Sequence, residues 1–294
     1  MRVLFVFDSG SNCLFLRRML DLQFSYTLVR LPQYINFNQD DFDVLIYQTF
    51  PDETHPFKFN AEIVRQGDDK FSKFKGVKVL MDSFDDGDRD AFSRMGYVSR
   101  ILPRIKSVPS WSFLKEFNTV FDIPPYFGID TIQDIEDGKR DVVLHYAPTL
   151  DVGIYSHDIR KKILSILQRE FNGEVNLTRI PRRSYPNFLK QVQISVTAPG
   201  FGPCSNTFWT AMQYRVLSVA EEMVDQYKML PRVNLTSGED YVSFNVDTLA
   251  DKLRYLIKNP DECDRIRKSG YQKIKEGYDV GTSAKDFHLW LANL

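Results

Sequence analysis

The stretch TAPGFGPCSNTFWTAMQYRVLSV, Thr197–Val219, decides the fold of this chain. It runs from the end of an apolar strand, through a turn rich in Gly, Pro, Ser and Asn, into a helix and on to another strand. Such a junction points several backbone N–H groups and the positive end of a helix dipole at one place, where anions bind. Gly200 and Gly202 carry no Cβ, so a ligand can approach their backbone closely. The stretch therefore predicts an anion site at the start of a helix.

Apolar β-rich runs alternate with helical patterns along the whole chain, which is typical of an α/β fold with parallel sheets. The first half predicts strands at Val3–Phe7, Asp43–Thr49 and Val77–Ser83, with helices between them. The second half predicts strands at DVVLHYAP, VNLTRI, QISVTA, RVLSVA and YVSF. It also predicts a helix at SHDIRKKILSILQREF and a helix interrupted by a glycine at DECDRIRKSGYQKIKEGY.

The segment Asp122–Asp141 breaks this alternation with two prolines, two glycines and many acidic residues, and it predicts a linker between domains. We expect an N-terminal domain over residues 1–135 and a second domain over 136–275. The final residues, 276–294, contain an amphipathic helix that we expect to return to the N-terminal domain.

Composition excludes several classes of protein. With 38 basic and 39 acidic residues among 294, the chain has no general affinity for nucleic acid. The three cysteines, Cys13, Cys204 and Cys263, have no short spacing, so we expect neither a disulfide framework nor a zinc site. No apolar run reaches the roughly 18 residues that a membrane span needs. These features predict a soluble, cytoplasmic protein.

Four segments of the second half, in order, resemble the donor-binding domain of glycosyltransferases of the GT-B fold, and most of all the spore-maturation-type subgroup. The likeness covers roughly residues 141–280. The four segments are TRIPRRSYPNFLKQVQISV, PGFGPCSNTFWTAMQYRVLSV, SGEDYVSFNVDTLADKLRYLIKNPDEC and RIRKSGYQKIKEGYD.

The resemblance implies two Rossmann-like domains that face each other across a cleft, with the C-terminal helix packing back on the N-terminal domain. It implies a hexosyl- or pentosyltransferase that moves a sugar from a nucleotide sugar, with a UDP-sugar favoured, to a glycan or another hydroxyl acceptor. No further cofactor is implied. The chain departs from the family where many members carry two glutamates, because Pro199 and Thr210 stand at those positions. This departure favours an inverting enzyme, and Glu221 or Glu222, just past the strand RVLSV, could reach the ribose or the sugar instead.

The donor diphosphate is expected at the backbone amides of Gly202 and of residues 205–207, where hydroxyl and amide side chains add donors. Arginine supplies counter-charge in a fork geometry, and we favour Arg183 and then Arg182, with Arg179 and Arg160 as neighbouring cations. By resemblance, the backbone at Ile180 contacts the nucleobase. The predicted donor-binding residues are Ile180, Arg182, Arg183, Gly200, Gly202, Ser205, Asn206, Thr207 and Glu221.

An inverting transfer needs a general base for the acceptor hydroxyl. Asp8 follows the first strand and is the favoured base, with Asp85 as the second candidate. Asp82, Asp86 and His55 are weaker alternatives.

The acidic run DDGDRD could supply oxygen ligands to a cation, but a helix dipole with arginines already neutralises a diphosphate. We therefore expect no metal.

Three alternatives stay open at this point. The glycine-rich turn can be a capped helix start without a ligand, and charge clusters are often solvated surface. The chain can be a nucleotide-sugar epimerase of the same fold, which would need acid and base groups on both faces of the sugar. It can also be an inactive nucleotide-sugar or glycan-binding module whose missing glutamates reflect lost activity.

Overall fold

The computed structural model describes residues 1–7, 14–48, 61–82, 102–106, 120–122, 134–136, 138–148, 157–181, 183–199, 206–222 and 233–294. The chain divides into two compact units. Unit 1 comprises Met1–Thr131 together with Asp279–Leu294, and unit 2 comprises Ile132–Tyr278.

The described residues of unit 1 form a six-stranded parallel sheet in the order β2-β1-β3-β4-β5-β6. Its strands are β1 (Arg2–Phe7), β2 (Ser25–Arg30), β3 (Val44–Gln48), β4 (Val77–Asp82), β5 (Arg104–Lys106) and β6 (Val120–Asp122). Its helices are α1 (Leu14–Gln23), α2 (Leu31–Tyr34), α3 (Ala61–Ser72) and the C-terminal α9 (Val280–Ala292).

The core of unit 1 forms because β1 and β3 are apolar over nearly their whole length, as expected for central strands covered on both faces. Helix α9 packs on α1, and its aromatic residues add to this core. Phe287 meets Phe24 edge-on with ring centroids 5.9 Å apart, and Trp290 lies 5.5 Å from Phe121. The carboxylate of Asp279 accepts a hydrogen bond from the Thr282 amide at 2.7 Å and so caps α9.

In the part of unit 2 that the structure describes, a five-stranded parallel sheet has the order β11-β10-β9-β7-β8. Its strands are β7 (Val142–His145), β8 (Val175–Asn176), β9 (Val192–Thr197), β10 (Leu217–Glu221) and β11 (Val242–Phe244). Its helices are α4 (His157–Glu170), α5 (Tyr185–Leu189), α6 (Asn206–Gln213), α7 (Leu249–Lys258) and α8 (Pro260–Gly277). Alternate residues of β7, β9 and β10, with α4 and α7, form one apolar cluster.

The prediction of an α/β fold with parallel sheets is confirmed. Strand β2 and the short α2 were not predicted, because the exposed and half-buried residues of β2 give it no continuous apolar run. The predicted strand VNLTRI is wrong beyond its first two residues, since β8 ends at Asn176.

The predicted glycine interruption of the penultimate helix is also wrong, because α8 continues through Gly270. A Cβ at Gly270 would lie 2.1 Å from the backbone oxygen of Asp240. The glycine therefore serves close packing. The buried Asp240 carboxylate accepts hydrogen bonds from the Thr236 amide at 2.8 Å, from Ser269 Oγ at 2.7 Å and from Lys273 Nζ at 2.6 Å.

Replacing Gly270 with Ala tests this packing. Alanine favours a helix interior by about 1 kcal/mol, but its methyl group would force the Asp240 segment away from α8. We expect a net loss of about 1–3 kcal/mol in the free energy of unfolding, measured by urea denaturation. The matched control is Gly138→Ala, because a Cβ at Gly138 meets nothing within 4 Å. If G270A has the same free energy of unfolding as G138A, the Asp240 segment moves away from the added methyl group without loss of stability.

Candidate functional site

The candidate site lies at one edge of the sheet of unit 2. Its five strands are parallel, so their carboxyl ends share one edge, which His145, Asn176, Thr197, Glu221 and Phe244 mark. In open α/β sheets, ligands bind outside the carboxyl ends of the strands. The segments that follow these strands therefore form the ligand edge of unit 2.

The junction between β9 and α6 begins and ends as the sequence predicts. Strand β9 ends at Thr197, and α6 begins at Asn206. Phe208 and Trp209 of α6 are buried, and Ser218 Oγ of β10 donates to the Phe208 carbonyl at 3.2 Å, which ties the helix to the sheet. The amino end of α6 is thus held at the ligand edge, and the first turn of a helix favours an anion through its backbone amides and its dipole.

A buried arginine holds the start of this junction. The buried stripe of α4 consists of Arg160, Ile163 and Leu167. A charged residue thus stands at a position where an amphipathic helix usually carries an apolar one. Only 7% of Arg160 is exposed. Its Nε donates to the Pro199 carbonyl at 2.8 Å, two residues past the end of β9. The start of α4 is itself fixed, because Tyr146 Oη donates to the Arg160 carbonyl at 3.1 Å.

Burial lowers the pKa of the Arg160 guanidinium and raises that of the Tyr146 hydroxyl. Arginine remains charged in proteins at any ordinary pH, so a positive charge sits beside the β9–α6 junction in a poorly solvated place. Such a charge attracts an anion far more strongly than an exposed one does.

The hydroxyl of Thr197 adds a polar group at the same edge. Thr197 is the last residue of β9, pairs with Ala220 of β10 and is only 3% exposed. Its Oγ1 is buried, and no described residue forms a hydrogen bond with it. A buried hydroxyl left unpaired is costly, so this atom can accept or donate a bond to a ligand or water. Sequence reasoning missed it, although a polar residue at the end of the apolar run QISVT was the available signal.

His145, at the end of β7, is a second buried polar residue that sequence reasoning missed. Its Nδ1 donates to the Asn176 carbonyl at 3.2 Å, and its ring meets Phe188 edge-on at 4.8 Å and Tyr185 at 5.8 Å. Burial lowers the pKa of His145 and raises that of Tyr185 to about 12. The imidazole is therefore neutral at neutral pH and joins β7 to β8 and α5.

Five of the predicted site residues lie at the ligand edge of unit 2. Ile180 is half-exposed and Arg183 exposed, both between β8 and α5. Asn206 and Thr207 open α6, and Glu221 ends β10 with 6% of its surface exposed. The other predicted residues lie outside the described part of the chain: Asp8, Asp85, Arg182, Gly200, Gly202 and Ser205.

Of the weaker candidates for the general base, the described residues include only one. His55 and Asp86 lie outside the described residues, and Asp82 is the last residue of β4 in unit 1. Within the described ranges, no group of three or more His, Cys, Asp or Glu residues could hold a metal ion. The acidic run DDGDRD falls beyond those ranges, as does the turn at residues 200–205.

A search of the described helices also found no segment with the length and apolarity of a membrane span.

No protein-family profile and no curated protein sequence matches the chain. Solved structures match it over nearly its whole length. Sucrose-phosphate synthase from Thermosynechococcus elongatus is 9% identical, with a TM-score of 0.62 over 100% of this chain and 98% of that one. HepE from Anabaena, in complex with UDP and glucose, is 11% identical, with a TM-score of 0.60 over 100% of both chains.

A third match is an alpha-glucosyltransferase in complex with UDP and a mismatched DNA. It is 11% identical, with a TM-score of 0.60 over 99% of this chain and 100% of that one. At such identities the likeness shows the fold alone. The chain therefore shares its α/β fold, over nearly its full length, with a sucrose-phosphate synthase, with HepE and with an alpha-glucosyltransferase.

The neutral, buried His145 makes the stability of unit 2 depend on pH. Its pKa in the folded state lies below that in the unfolded state, about 6.5, so acid protonates the unfolded state first. We expect the free energy of unfolding to fall as the pH is lowered through about 6.5, until the folded pKa is reached. His145→Gln should flatten this part of the profile, measured by urea denaturation from about pH 7.5 to about pH 5. An unchanged slope in H145Q would mean that other groups carry the acid sensitivity.

Proposed function

We propose that the protein is a glycosyltransferase that moves a sugar from a UDP-sugar to a hydroxyl acceptor. The observation that carries the proposal is the match in fold to HepE over the full length of both chains. HepE has been solved with UDP-glucose, in a structure 11% identical to this chain with a TM-score of 0.59. The alpha-glucosyltransferase of the same fold was also solved with UDP.

The donor diphosphate would bind at the ligand edge of unit 2. The amino end of α6 supplies backbone N–H groups, and Arg160 supplies a buried positive charge beside Pro199. Arg182 and Arg183 add counter-charge from the segment before α5, with Ile180 at the nucleobase and Glu221 near the ribose or sugar. Gly200, Gly202 and Ser205 complete the loop that contacts the phosphates.

These groups would stabilise the departing UDP. In the transfer, the acceptor oxygen forms a bond to the sugar C1 while the bond from C1 to the diphosphate oxygen breaks, and negative charge develops on the leaving diphosphate. Fixed amides and a buried guanidinium favour that charge in the transition state because they need no reorganisation. Such neutralisation would make a metal ion unnecessary.

The acceptor would bind on the N-terminal domain, residues 1–135, across a cleft from the donor domain, residues 136–275, with residues 276–294 returning to the first. Asp8 would take the proton of the acceptor hydroxyl, with Asp85 as the second candidate. An attack on the face opposite the leaving group would invert the configuration at C1. A glycan or a small molecule with a free hydroxyl would fit the acceptor role.

One observation favours a second candidate function, an inactive nucleotide-sugar-binding module. Pro199 and Thr210 occupy positions at which the resembling glycosyltransferases carry glutamates. Such a module would bind UDP-sugars as tightly as an enzyme does, yet leave every acceptor unmodified. Assays of binding and of turnover on the same preparation separate the two functions.

Calorimetric titration with UDP tests the donor site, and Arg160 is the residue to change. Arg160→Met removes the charge but keeps the buried stem, and we expect UDP to bind at least tenfold more weakly, a loss of about 1.4 kcal/mol. The matched control is Arg169→Gln, because Arg169 is an exposed residue of the same helix that pairs with Glu170. Absence of UDP binding by the wild-type protein would contradict the proposed function. Equal binding of UDP by R160M would show that Arg160 does not contribute to the donor site.

Asp8→Asn tests the general base separately from donor binding. We expect transfer to an acceptor panel to fall by a factor of about 100 or more, while the affinity for UDP stays within twofold of the wild type. Turnover measured with EDTA present should equal turnover without it, as a metal-free mechanism requires. If D8N transfers sugar at the normal rate, the base lies elsewhere, and Asp85→Asn is the next variant.

A further inference from the structure

A groove of about 390 Å³ opens on unit 1 at the amino ends of β1 and β2. Arg2 and Ser25 are the first residues of these strands and pair with each other in the sheet. The ligand edge of a parallel sheet is the carboxyl edge, and the six residues of β1 separate the two edges by roughly 20 Å. The groove is thus distinct from any site at the carboxyl ends of these strands. Six of the residues that line the groove are Arg2, Ser25, Thr27, Phe37, Asp41 and Phe42.

Two phenyl rings form the apolar part of the groove. Phe37 and Phe42 lie with their centroids 6.0 Å apart, at an angle of 41°. Both rings are half-buried, and both pack against the core of unit 1. The rings are therefore held by the core while part of their surface faces the groove.

The polar part of the groove carries both donors and acceptors. Ser25 and Thr27 are two residues apart on β2, so their hydroxyls lie on one face of the strand. Arg2 and Asp41 add a guanidinium and a carboxylate. Within the part of the chain that the structure describes, no hydrogen bond or ion pair engages the side chains of Arg2, Ser25, Thr27 or Asp41. Asp43, nearby, is engaged instead, and accepts a hydrogen bond from the Arg2 amide at 2.6 Å.

From this arrangement we infer that the groove is a binding site for a neutral pyranose, such as one or two units of a glycan. A pyranose presents C–H groups on its ring faces and hydroxyls around its rim, which match phenyl surfaces bordered by donors and acceptors. A guanidinium and a carboxylate can each bind two neighbouring hydroxyls in a fork geometry. With one positive and one negative side chain in the groove, neither an anion nor a cation gains a net charge attraction, so a neutral ligand is not at a disadvantage.

The size of the groove agrees with this ligand, because sites for small molecules start at about 300 Å³. An open groove with few anchors binds weakly, so we expect a dissociation constant of the order of 1 mM. The inference does not depend on the proposed transferase activity. If that activity holds, the groove would retain a distant part of a long acceptor.

Protein-observed NMR of the full chain tests the inference with maltotriose and cellotriose as neutral probes. We expect amide shifts that saturate and are confined to residues 2–3, 25–28 and 37–42. Sodium glucuronate and glucosamine serve as the charged probes, and both should shift these amides less than the neutral sugars. Shifts that appear only with a charged probe, or none with either neutral trisaccharide up to about 20 mM, would overturn the inference.

Four variants assign the site to the named side chains. Asp41→Ala and Thr27→Val should each weaken binding at least threefold, because each loses a hydrogen-bonding group. Asp41→Asn should bind within twofold of the wild type, since an amide also bonds two hydroxyls. The matched control, Asp40→Asn, changes the adjacent exposed residue outside the groove and should bind as the wild type does. Equal affinity in D41A, T27V and D40N would place the sugar elsewhere.

This test is separate from that of the transferase proposal. UDP titration reports on unit 2, whereas the amide shifts report on unit 1. Sugar binding in the groove without UDP binding would leave the inference intact and contradict only the proposed function. UDP binding without sugar-induced amide shifts would overturn the inference and leave the proposed function intact.

Discussion

The hydrogen bond from the Arg160 guanidinium to the Pro199 carbonyl at 2.8 Å is the contact on which the candidate site depends. A charged group in an apolar stripe is costly unless its donors are paired and its charge meets an opposite charge or dipole. Here the backbone carbonyl at the exit of β9 provides that partner. The same hydrogen bond fixes where the β9–α6 junction leaves the sheet. One contact therefore offsets the cost of burying Arg160 and positions the junction.

The rest of unit 2 supports that edge with contacts that leave little freedom. The His145 ring links β7, β8 and α5, and the Ser218 hydroxyl links β10 to α6. Elsewhere in unit 2, the buried Asp240 carboxylate is held by a backbone amide, a hydroxyl and an ammonium group, and Gly270 lets α8 approach it. A donor site that must hold a diphosphate in one geometry benefits from such a scaffold, because preorganised groups need not move during the reaction.

The two units bring different chemistry to the proposed function. Unit 2 carries a buried cation, a helix amino end and a hydroxyl at the carboxyl edge of its sheet, which are groups for a phosphate ligand. Unit 1 carries, at the opposite edge of its own sheet, a groove with phenyl surface and unengaged polar groups, which suit a neutral sugar. A protein that handles glycans would use both kinds of surface, one for the activated donor and one for the chain that it recognises.

The sequence by itself determined the α/β class, most of the long strands and helices, and the strand-turn-helix junction at Thr197–Val219, because hydrophobic periodicity and turn residues are local signals. It also predicted Ile180, Arg183, Asn206 and Thr207 after strands and Glu221 just past one, whereas the structure makes Glu221 the last residue of β10. Parallel strands bring such residues to one edge. Only the tertiary structure decided the roles of residues whose signals are not local. The buried state of Arg160, the unpaired hydroxyl of Thr197 and the continuation of α8 through Gly270 depend on atoms more than twenty residues away in the chain or on enclosure by the fold. Sequence periodicity shows which face of an element is apolar, whereas burial, pairing and close approach are set by what packs against that face.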